Sequence, residues 1–342
     1  MEYVKLGASG LKVSPLCLGT MMFGDRTDAA EAGRIVASAR EAGVNFIDTA
    51  DVYAKGESER ITGKLIASDR DRWVLATKVG NPMPAPGISN PGGDDPNRRG
   101  TGRKWILQAI DESLDRLGTD YVDIYYLHRD IEETPLEETL TAMADVIGAG
   151  KALHFGVSNF RGWRIAEVMH VCRELGISPP VACQPYYNAM NRQPENDILP
   201  ACAYYGIGVV PYSPLARGVL TGKYAPGREA PADSRVGRKD KRILETEFRE
   251  ESLAIAQKIK GHAEKKGMAA GHFAFNWVLA NPVVASVIAG PRTLEQWNDY
   301  LAALGKTFDA GDEALVDSLV SPGHPSTPGY NDPAYPMRGR AI

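Results

Sequence analysis

Eight short apolar runs, each followed by a longer segment, are the feature that most constrains the fold of this 342-residue chain. The predicted strands lie at 14–20, 44–50, 73–79, 122–128, 153–159, 181–187, 208–214 and 285–290. These runs are apolar along most of their length, which is typical of parallel strands covered on both faces. Eight βα units over this length favour a closed barrel, and the first unit lacks the GxGxxG motif of an open dinucleotide-binding sheet. We therefore predict an α/β fold, a (β/α)8 TIM barrel.

Helical periodicity predicts amphipathic helices between these strands. They are expected at 28–42, 57–67, 104–117, 136–149, 162–175, 195–205, 250–266, 270–280 and 293–304. Glycines such as Gly118 and Gly206 stand at the expected ends, where a residue with positive φ closes a helix. The alternation of strand and helix therefore continues along nearly the whole chain.

Four segments fall outside this repeat. Residues 3–13 predict a small β-hairpin that closes the N-terminal mouth of the barrel. The segments 80–103 and 213–248 each follow a strand, so they predict long loops on the C-terminal face. The tail 321–342, rich in Pro, Gly and Tyr, is expected to lie over the surface or over the active-site face. Residues 1–342 are predicted to form a single domain.

Composition excludes several classes of function. The chain is 43% hydrophobic and 24% charged, and its net charge of −4 gives no electrostatic footprint for nucleic acid or an anionic membrane. The N-terminus lacks the apolar core of a signal peptide, and no run approaches the ~18 apolar residues of a membrane span. The four cysteines show no metal-binding spacing. We predict a cytoplasmic protein with reduced thiols and no metal site.

Four polar residues stand at or just after strand ends: Asp48, Tyr53, Lys78 and His128. In a barrel such positions converge on one face, where catalytic groups gather. A free tyrosine has a pKa of about 10, and a neighbouring cation lowers it. Lys78 supplies that cation, Asp48 holds Lys78 as a buried ion pair, and His128 orients a carbonyl group. The set predicts general-acid catalysis of carbonyl reduction.

The segments around these residues carry a family resemblance. NFIDTADVY, ATKVG, YYLHRD and GVSNF resemble the signature segments of the aldo-keto reductases, nicotinamide-dependent (β/α)8 oxidoreductases. The resemblance implies that Tyr53 is the proton donor, that Lys78 and Asp48 tune it, and that His128 orients the substrate. The implied activity is NADP(H)-dependent reduction of an aldehyde or ketone to an alcohol.

The same resemblance implies the residues that contact the cofactor. They are Ser158, Asn159 and Gln184 on the carboxamide, Tyr212 on the nicotinamide ring, Ser213, Leu215, Arg217, Gly218 and Lys223 on the pyrophosphate, and Gly290, Arg292, Thr293 and Gln296 at the adenosine end. Because an arginine fork favours a phosphate over a hydroxyl, Arg292 predicts NADPH (NADP+) as the cofactor. Tyr300 stands where many members of this branch have an Asn, and Pro291 where a small residue is common. These departures leave the use of NADH open.

Substrate contacts are expected from Met21, Met22, Phe23, Val52 and Arg129, from the segment 82–91, and from the tail. Most of these positions are apolar, which favours a bulky or ring carbonyl compound over a small sugar phosphate. The tail sequence PGYNDPAYPMRGR resembles that of bacterial reductases of ring compounds, for example 3-keto-deoxynivalenol. The predicted partner is a small carbonyl or alcohol substrate, and no oligomeric state follows from these features.

Two alternatives belong to other classes of protein. In a lysine-dependent aldolase, Lys78 would form a Schiff base with the substrate. In a non-enzymatic regulatory subunit, like the β-subunits of potassium channels, the cofactor would be bound without catalysis. The Asp and Tyr that accompany Lys78 favour the reductase over both alternatives. An assay of carbonyl reduction separates the three.

Overall fold

The computed structural model describes residues 1–84 and 95–336. The strands are β1 Val4–Lys5, β2 Lys12–Val13, β3 Leu16–Gly19, β4 Phe46–Asp48, β5 Val74–Val79, β6 Val122–Leu127, β7 Ala152–Ser158, β8 Ala182–Gln184, β9 Gly208–Val209 and β10 Val287–Ala289. The first two pair antiparallel as the predicted hairpin. Strands β3 to β10 correspond to the eight predicted apolar runs.

The eight strands from β3 to β10 form one parallel sheet in the order β10-β3-β4-β5-β6-β7-β8-β9. The two ends of this order meet. Val209 bridges Val284 in parallel, and the backbone N–H of Ala285 donates to the carbonyl of Val209 at 2.9 Å. The ring of strands is therefore closed, and the predicted (β/α)8 TIM barrel is confirmed.

Helices cover the outside of the barrel. They are α1 Ala29–Glu41, α2 Glu57–Ile66, α3 Arg103–Leu117, α4 Leu136–Gly148, α5 Gly162–Leu175, α6 Ile198–Tyr205, α7 Lys241–Glu245, α8 Glu250–Lys265, α9 Ala270–Leu279, α10 Leu294–Ala303 and α11 Ala310–Leu319. Their ends agree with the prediction within about three residues. None of these described helices is both long enough and apolar enough to span a membrane.

Two helices lie outside the predicted set. The helix α7 is a short element inside the predicted loop 213–248, where Asp240 accepts hydrogen bonds from the backbone at its start. The helix α11 begins with a capping box formed by Asp309 and Asp312. This pair of carboxyl groups, three residues apart, was the available sequence signal for α11.

The hairpin β1–β2 closes the N-terminal end of the barrel. Leu6 and Val13 are fully buried and pack with the inward-facing residues Cys17 and Phe46. Gly7, with φ of 55°, lies so close to β8 that a Cβ atom would stand 2.5 Å from the carbonyl oxygen of Val181. Only glycine tolerates both this conformation and this approach.

Side chains on each barrel strand alternate between the interior and the helical layer, as the period of two requires. Phe46 and Ala76 pack inside the barrel. Two residues further along their strands come Asp48 and Lys78, which therefore also point inward, at the carboxyl end of the barrel. The alternation explains why polar residues interrupt otherwise apolar strands there.

The C-terminal tail lies over the carboxyl end of the barrel as far as it is described, and residues 337–342 lie outside the described part. Arg242, in the long loop after β9, makes two hydrogen bonds to the carboxylate of Asp332. Arg161 donates from Nη2 to the carbonyl oxygen of Tyr335 at 3.0 Å. These contacts hold Tyr335 beside the cleft described next.

Candidate active site

The structure brings the four predicted catalytic side chains together at one end of a cleft. The Lys78 Nζ lies 2.5 Å from Oδ1 of Asp48 and 3.4 Å from the hydroxyl oxygen of Tyr53. The rings of Tyr53 and His128 meet edge to face, with their centroids 5.9 Å apart. A phenol, an ammonium and an imidazole therefore surround one small volume.

Lys78 and Asp48 form a buried ion pair whose hydrogen bonds are satisfied. Lys78 also donates to the carbonyl oxygen of Thr49 at 2.6 Å. The second carboxylate oxygen of Asp48 accepts from Nε2 of Gln184 at 3.0 Å. Burial of two charges is tolerated when the pair is close and its remaining polar atoms are bonded.

Electrostatics keep Lys78 charged. Burial lowers its pKa, but the charges of Asp48 and Tyr53 reverse this effect and raise the pKa above its ordinary value. Burial also raises the pKa of Asp48, against the opposing effect of Lys78 and its hydrogen bonds. An ammonium group cannot attack a carbonyl carbon, so this environment disfavours the aldolase alternative.

The pKa of Tyr53 differs from the expectation based on the sequence. Lys78 was expected to lower it below the ordinary value of tyrosine. Burial instead raises the pKa of Tyr53, and the charge of Lys78 offsets only part of the rise. The phenol therefore keeps its proton at neutral pH, which is the form that a general acid needs. The ammonium then stabilises the phenolate that remains after proton transfer.

His128 is neutral in this environment. Burial and the charges of Lys78 and Arg129 lower the pKa of His128 well below its ordinary value. The side-chain nitrogen of Asn81 lies 3.0 Å from Nδ1 of the imidazole. With the amide donating, Nδ1 accepts and Nε2 carries the hydrogen as a donor. Asn81 was missed in the sequence because its loop carries no motif.

The cleft has a volume of about 1010 Å³, at the upper end of the range for ligand sites. Of the thirteen residues to which the resemblance assigns a cofactor contact, twelve line the cleft, and Thr293 does not. They are Ser158, Asn159, Gln184, Tyr212, Ser213, Leu215, Arg217, Gly218, Lys223, Gly290, Arg292 and Gln296. The lining begins at the catalytic residues and ends beside α10.

Polar groups near the catalytic residues are fixed by one another. Asn159, with a left-handed φ of 60°, donates to the carbonyl oxygen of His128 at 2.9 Å. Tyr212 donates to Oδ1 of Asn159 at 2.9 Å, and its ring stacks on Tyr186 with centroids 5.6 Å apart. Ser158 donates to the carbonyl oxygen of Gln184 at 2.8 Å. This end offers amides and an aromatic face, which suit a flat carboxamide-bearing ring.

Arginines gather at the far end of the cleft. Arg26, Arg235, Arg238 and Arg292 all line it. Slight burial and the charges of the other three arginines lower the pKa of Arg238, so the four groups lie within electrostatic range of one another. Arg26 and Arg235 pair with Asp25 and Asp240, at 3.6 and 2.9 Å. Within the described residues, no carboxylate lies within ion-pair distance of Arg238 or Arg292. We define Arg238 and Arg292 as the arginine pair.

Arg26, Arg235 and Arg238 were not assigned to the site from the sequence. For Arg235 and Arg238 the available signal was the richness of the segment 213–248 in Arg and Lys. Arg217, which was assigned a pyrophosphate contact, is already engaged. Its Nε lies 3.0 Å from the buried carboxylate of Glu247, so its guanidinium braces the loop and only part of the residue faces the cleft.

The predicted substrate residues divide into three groups. Met22 and Val52 line the cleft. Phe23 is fully buried in the hydrophobic core, so its assignment to the substrate was wrong, since an apolar residue near the rim packs as readily as it binds. Arg129 lies beside the cleft, with its guanidinium carbon 5.9 Å from the ring centroid of Tyr335. Of the predicted segment 82–91, residues 85–91 lie outside the described part.

Comparison with known proteins agrees with this geometry. The model of the Aldo/keto reductase family matches residues 15–321, and the chain belongs to this family. A probable voltage-gated potassium channel subunit beta of Oryza sativa is 38% identical over 310 residues, covering 89% of this chain and 91% of the relative. The L-glyceraldehyde 3-phosphate reductase of Escherichia coli is 33% identical over 338 residues, 94% and 93% of the two chains. The versiconal hemiacetal acetate reductase of Aspergillus parasiticus is 32% identical over 321 residues, 89% and 92% of the two chains.

Proposed function

We propose that this protein reduces an aldehyde or ketone to an alcohol with NADPH, and that Tyr53 donates the proton. The observation that carries the proposal is the hydroxyl oxygen of Tyr53, 3.4 Å from Nζ of Lys78. The neutral imidazole of His128 lines the same cleft. A small set of oriented donors around one point is what carbonyl reduction needs.

Each residue has one part in the reaction. When bound, a nicotinamide dinucleotide would provide the hydride for the carbonyl carbon. Tyr53 Oη gives its proton to the carbonyl oxygen, and Lys78 stabilises the phenolate that results. His128 donates a hydrogen bond from Nε2 to the same oxygen and fixes its direction. Hydride and proton together convert the C=O group to CH–OH, so atoms and charge balance.

The cleft residues fit the two ends of the cofactor. Ser158, Asn159 and Gln184 offer amide and hydroxyl groups for the carboxamide, and the face of Tyr212 supports the nicotinamide ring. The arginine pair at the far end suits a 2′-phosphate, because guanidinium groups bind phosphate oxygens in a fork. This charge arrangement favours NADPH over NADH.

The test uses 4-nitrobenzaldehyde as a generic substrate and follows the loss of NADPH absorbance. We expect Tyr53→Phe to lower kcat by about 100-fold to 10,000-fold, the usual contribution of a general acid. The affinity for NADPH, measured by quenching of tryptophan fluorescence, should stay unchanged. Retention of most of the turnover in this variant would remove Tyr53 from the mechanism.

Assays with a panel of carbonyl compounds are needed to identify the substrate. The relative from Aspergillus parasiticus is named for reduction of versiconal hemiacetal acetate, and the Escherichia coli relative for a sugar phosphate. The apolar Met22 and Val52 on the cleft favour a bulky or ring carbonyl, of which 3-keto-deoxynivalenol is one candidate. We propose a cytoplasmic location for this activity.

A regulatory role is the second candidate, because the relative from Oryza sativa is named as a potassium channel subunit beta. In that role the protein would bind NADPH without sustained turnover. The two functions separate in one experiment on the unmodified protein. Turnover of 4-nitrobenzaldehyde that continues over many cofactor equivalents supports the enzyme, whereas a single hydride transfer per protein supports the regulator.

A further inference from the structure

Arg129, next to the catalytic imidazole, is a cation without a partner among the residues that the structure describes. It directly follows His128 and is partly buried, and its Nε is shielded from water without a hydrogen-bond partner. Among residues 1–84 and 95–336, no side chain makes a hydrogen bond or an ion pair with its guanidinium group. The adjacent carboxylate of Asp130 is occupied by Arg164 at 3.1 Å.

Several other shielded arginines among the described residues are paired with carboxylates. Nε of Arg116 lies 2.6 Å from Glu59, that of Arg192 lies 2.9 Å from Glu195, and that of Arg217 lies 3.0 Å from Glu247. Arg70 and Arg98 leave Nε unbonded, but other nitrogens of their guanidinium groups contact Asp123 and Glu112. A shielded guanidinium with an unbonded donor is costly, so proteins normally provide a carboxylate for it. Within the described residues Arg129 has no such contact, which indicates that its partner comes from outside them.

The position of Arg129 indicates that its partner belongs to a molecule bound in the cleft. Its guanidinium carbon lies 5.9 Å from the ring centroid of Tyr335, which lines the cleft together with His128 and Tyr53. The charge of Arg129 contributes to the lowered pKa of His128, which agrees with a short separation. Arg129 therefore borders the chamber in which a carbonyl substrate would meet Tyr53.

We propose that Arg129 binds an anionic group, a carboxylate or a phosphate, carried by the carbonyl substrate. The proposal rests on the proposed reductase function and specifies its substrate class. Guanidinium binds either group through parallel N–H donors, a geometry that lysine does not reproduce. The apolar residues Met22 and Val52 line the same cleft, so the substrate combines an apolar body with one acidic group, unlike a neutral ring ketone such as 3-keto-deoxynivalenol.

The test compares two aldehydes that differ in charge and little in shape. In 4-carboxybenzaldehyde and 4-nitrobenzaldehyde the two planar substituents have similar size, but only the carboxylate is charged. For Arg129→Met we expect a loss in kcat/KM of roughly 10-fold to 100-fold with the carboxylate, which is the scale of a charge-assisted hydrogen bond. With the nitro compound the change should stay below about threefold, and Arg129→Lys should recover only part of the loss.

A second pair of substrates distinguishes the two anions. Glyceraldehyde 3-phosphate and glyceraldehyde are assayed with the wild-type protein and with Arg129→Met. Selective loss with the phosphate but not with 4-carboxybenzaldehyde identifies a phosphate site, and the opposite result identifies a carboxylate site. Comparison of 4-carboxybenzaldehyde with 3-carboxybenzaldehyde then shows which distance between the acid group and the carbonyl group suits the site.

Failure of this inference differs from failure of the proposed function. If Arg129→Met lowers kcat/KM equally for charged and neutral aldehydes, Arg129 only supports Tyr335 and the tail, and the proposal is overturned while the reductase stands. If the wild-type protein reduces none of the five aldehydes with NADPH or NADH, the reductase assignment itself fails. Equal salt dependence of KM for both benzaldehydes would also count against an anion site.

Discussion

The two ends of the cleft differ in whether their cationic side chains are paired with carboxylates. At the catalytic end, Lys78 is fully buried and touches a carboxylate, a carbonyl oxygen and a phenol within 3.4 Å. At the far end, Arg238 and Arg292 remain in contact with water, and no described carboxylate pairs with them. The ion pair of Lys78 is complete before any ligand arrives, whereas the far end offers charge to a ligand.

Desolvation explains the contrast. A buried ammonium without a counter-ion costs several kcal/mol, so the folded chain itself must supply the counter-ion of Lys78. An exposed guanidinium keeps its hydration and costs little when it is unpaired. The catalytic end therefore supplies fixed electrostatics for the transition state, and the far end supplies affinity that depends on salt. The following variants test each half of this statement.

The largest effect is expected from Lys78→Met. Removing the ammonium leaves the carboxylate of Asp48 buried and unpaired, which should lower the free energy of unfolding by about 3–5 kcal/mol. Loss of the cation beside Tyr53 should also lower kcat by about 100-fold or more. Urea unfolding and NADPH-coupled turnover measure the two quantities.

A double variant provides the control. Asp48→Asn combined with Lys78→Met leaves no unpaired charge, so it should recover much of the lost stability without recovering activity. Additive destabilisation by the two substitutions would mean that the pair is not coupled. The contrast between the two ends of the cleft would then lose its physical basis.

An intermediate effect is expected from the arginine pair. Arg292→Ala and Arg238→Ala should each raise the Kd for NADPH by about 10-fold, because each removes a charge-assisted contact to the 2′-phosphate. The Kd for NADH should change by less than about threefold, and the difference should shrink at high ionic strength. Fluorescence titration at two salt concentrations measures these constants.

Arg173→Ala is the matched control for this experiment, because Arg173 is exposed on α5 and makes no described ion pair. It should leave both constants unchanged. Equal weakening of NADPH and NADH binding by Arg292→Ala would assign that arginine to a part of the dinucleotide that both cofactors share.

At the catalytic end of the cleft the site residues at or near strand ends could be predicted from the sequence, whereas several arginines at the far end could not. Asp48, Lys78 and His128 could be predicted because the strand period and the strand ends fix their direction before any tertiary contact is known. Arg26 and Arg238 could not, because they lie in loops without period or motif and only the folded barrel brings them to one cleft. The rise in the pKa of Tyr53 could not be predicted from the sequence either, since it depends on how deeply the phenol is buried.

The last prediction concerns a second carboxyl group in the turn that carries Tyr53. Asp51 is buried like Asp48, three residues earlier, but neither of its carboxyl oxygens has a hydrogen-bond partner within the described chain. Burial and the charge of Glu59 raise the pKa of Asp51 well above its ordinary value. The folded protein therefore holds this proton more tightly than the unfolded chain does. Stability from Asp51 is fully present below the unfolded pKa of about 4 and is lost as pH rises through the folded pKa.

Asp51→Asn removes this titration and keeps the shape of the side chain. Relative to the wild-type protein, the variant should gain about 1–3 kcal/mol in the free energy of unfolding at pH 8, and the gain should shrink toward pH 4. Urea unfolding across this range measures it, with Asp115→Asn, an exposed position on α3, as the control that should show no such trend. A loss of stability at pH 8 would mean that Asp51 is ionised and paired in the folded state. The contrast with the fully bonded Asp48 would then fail.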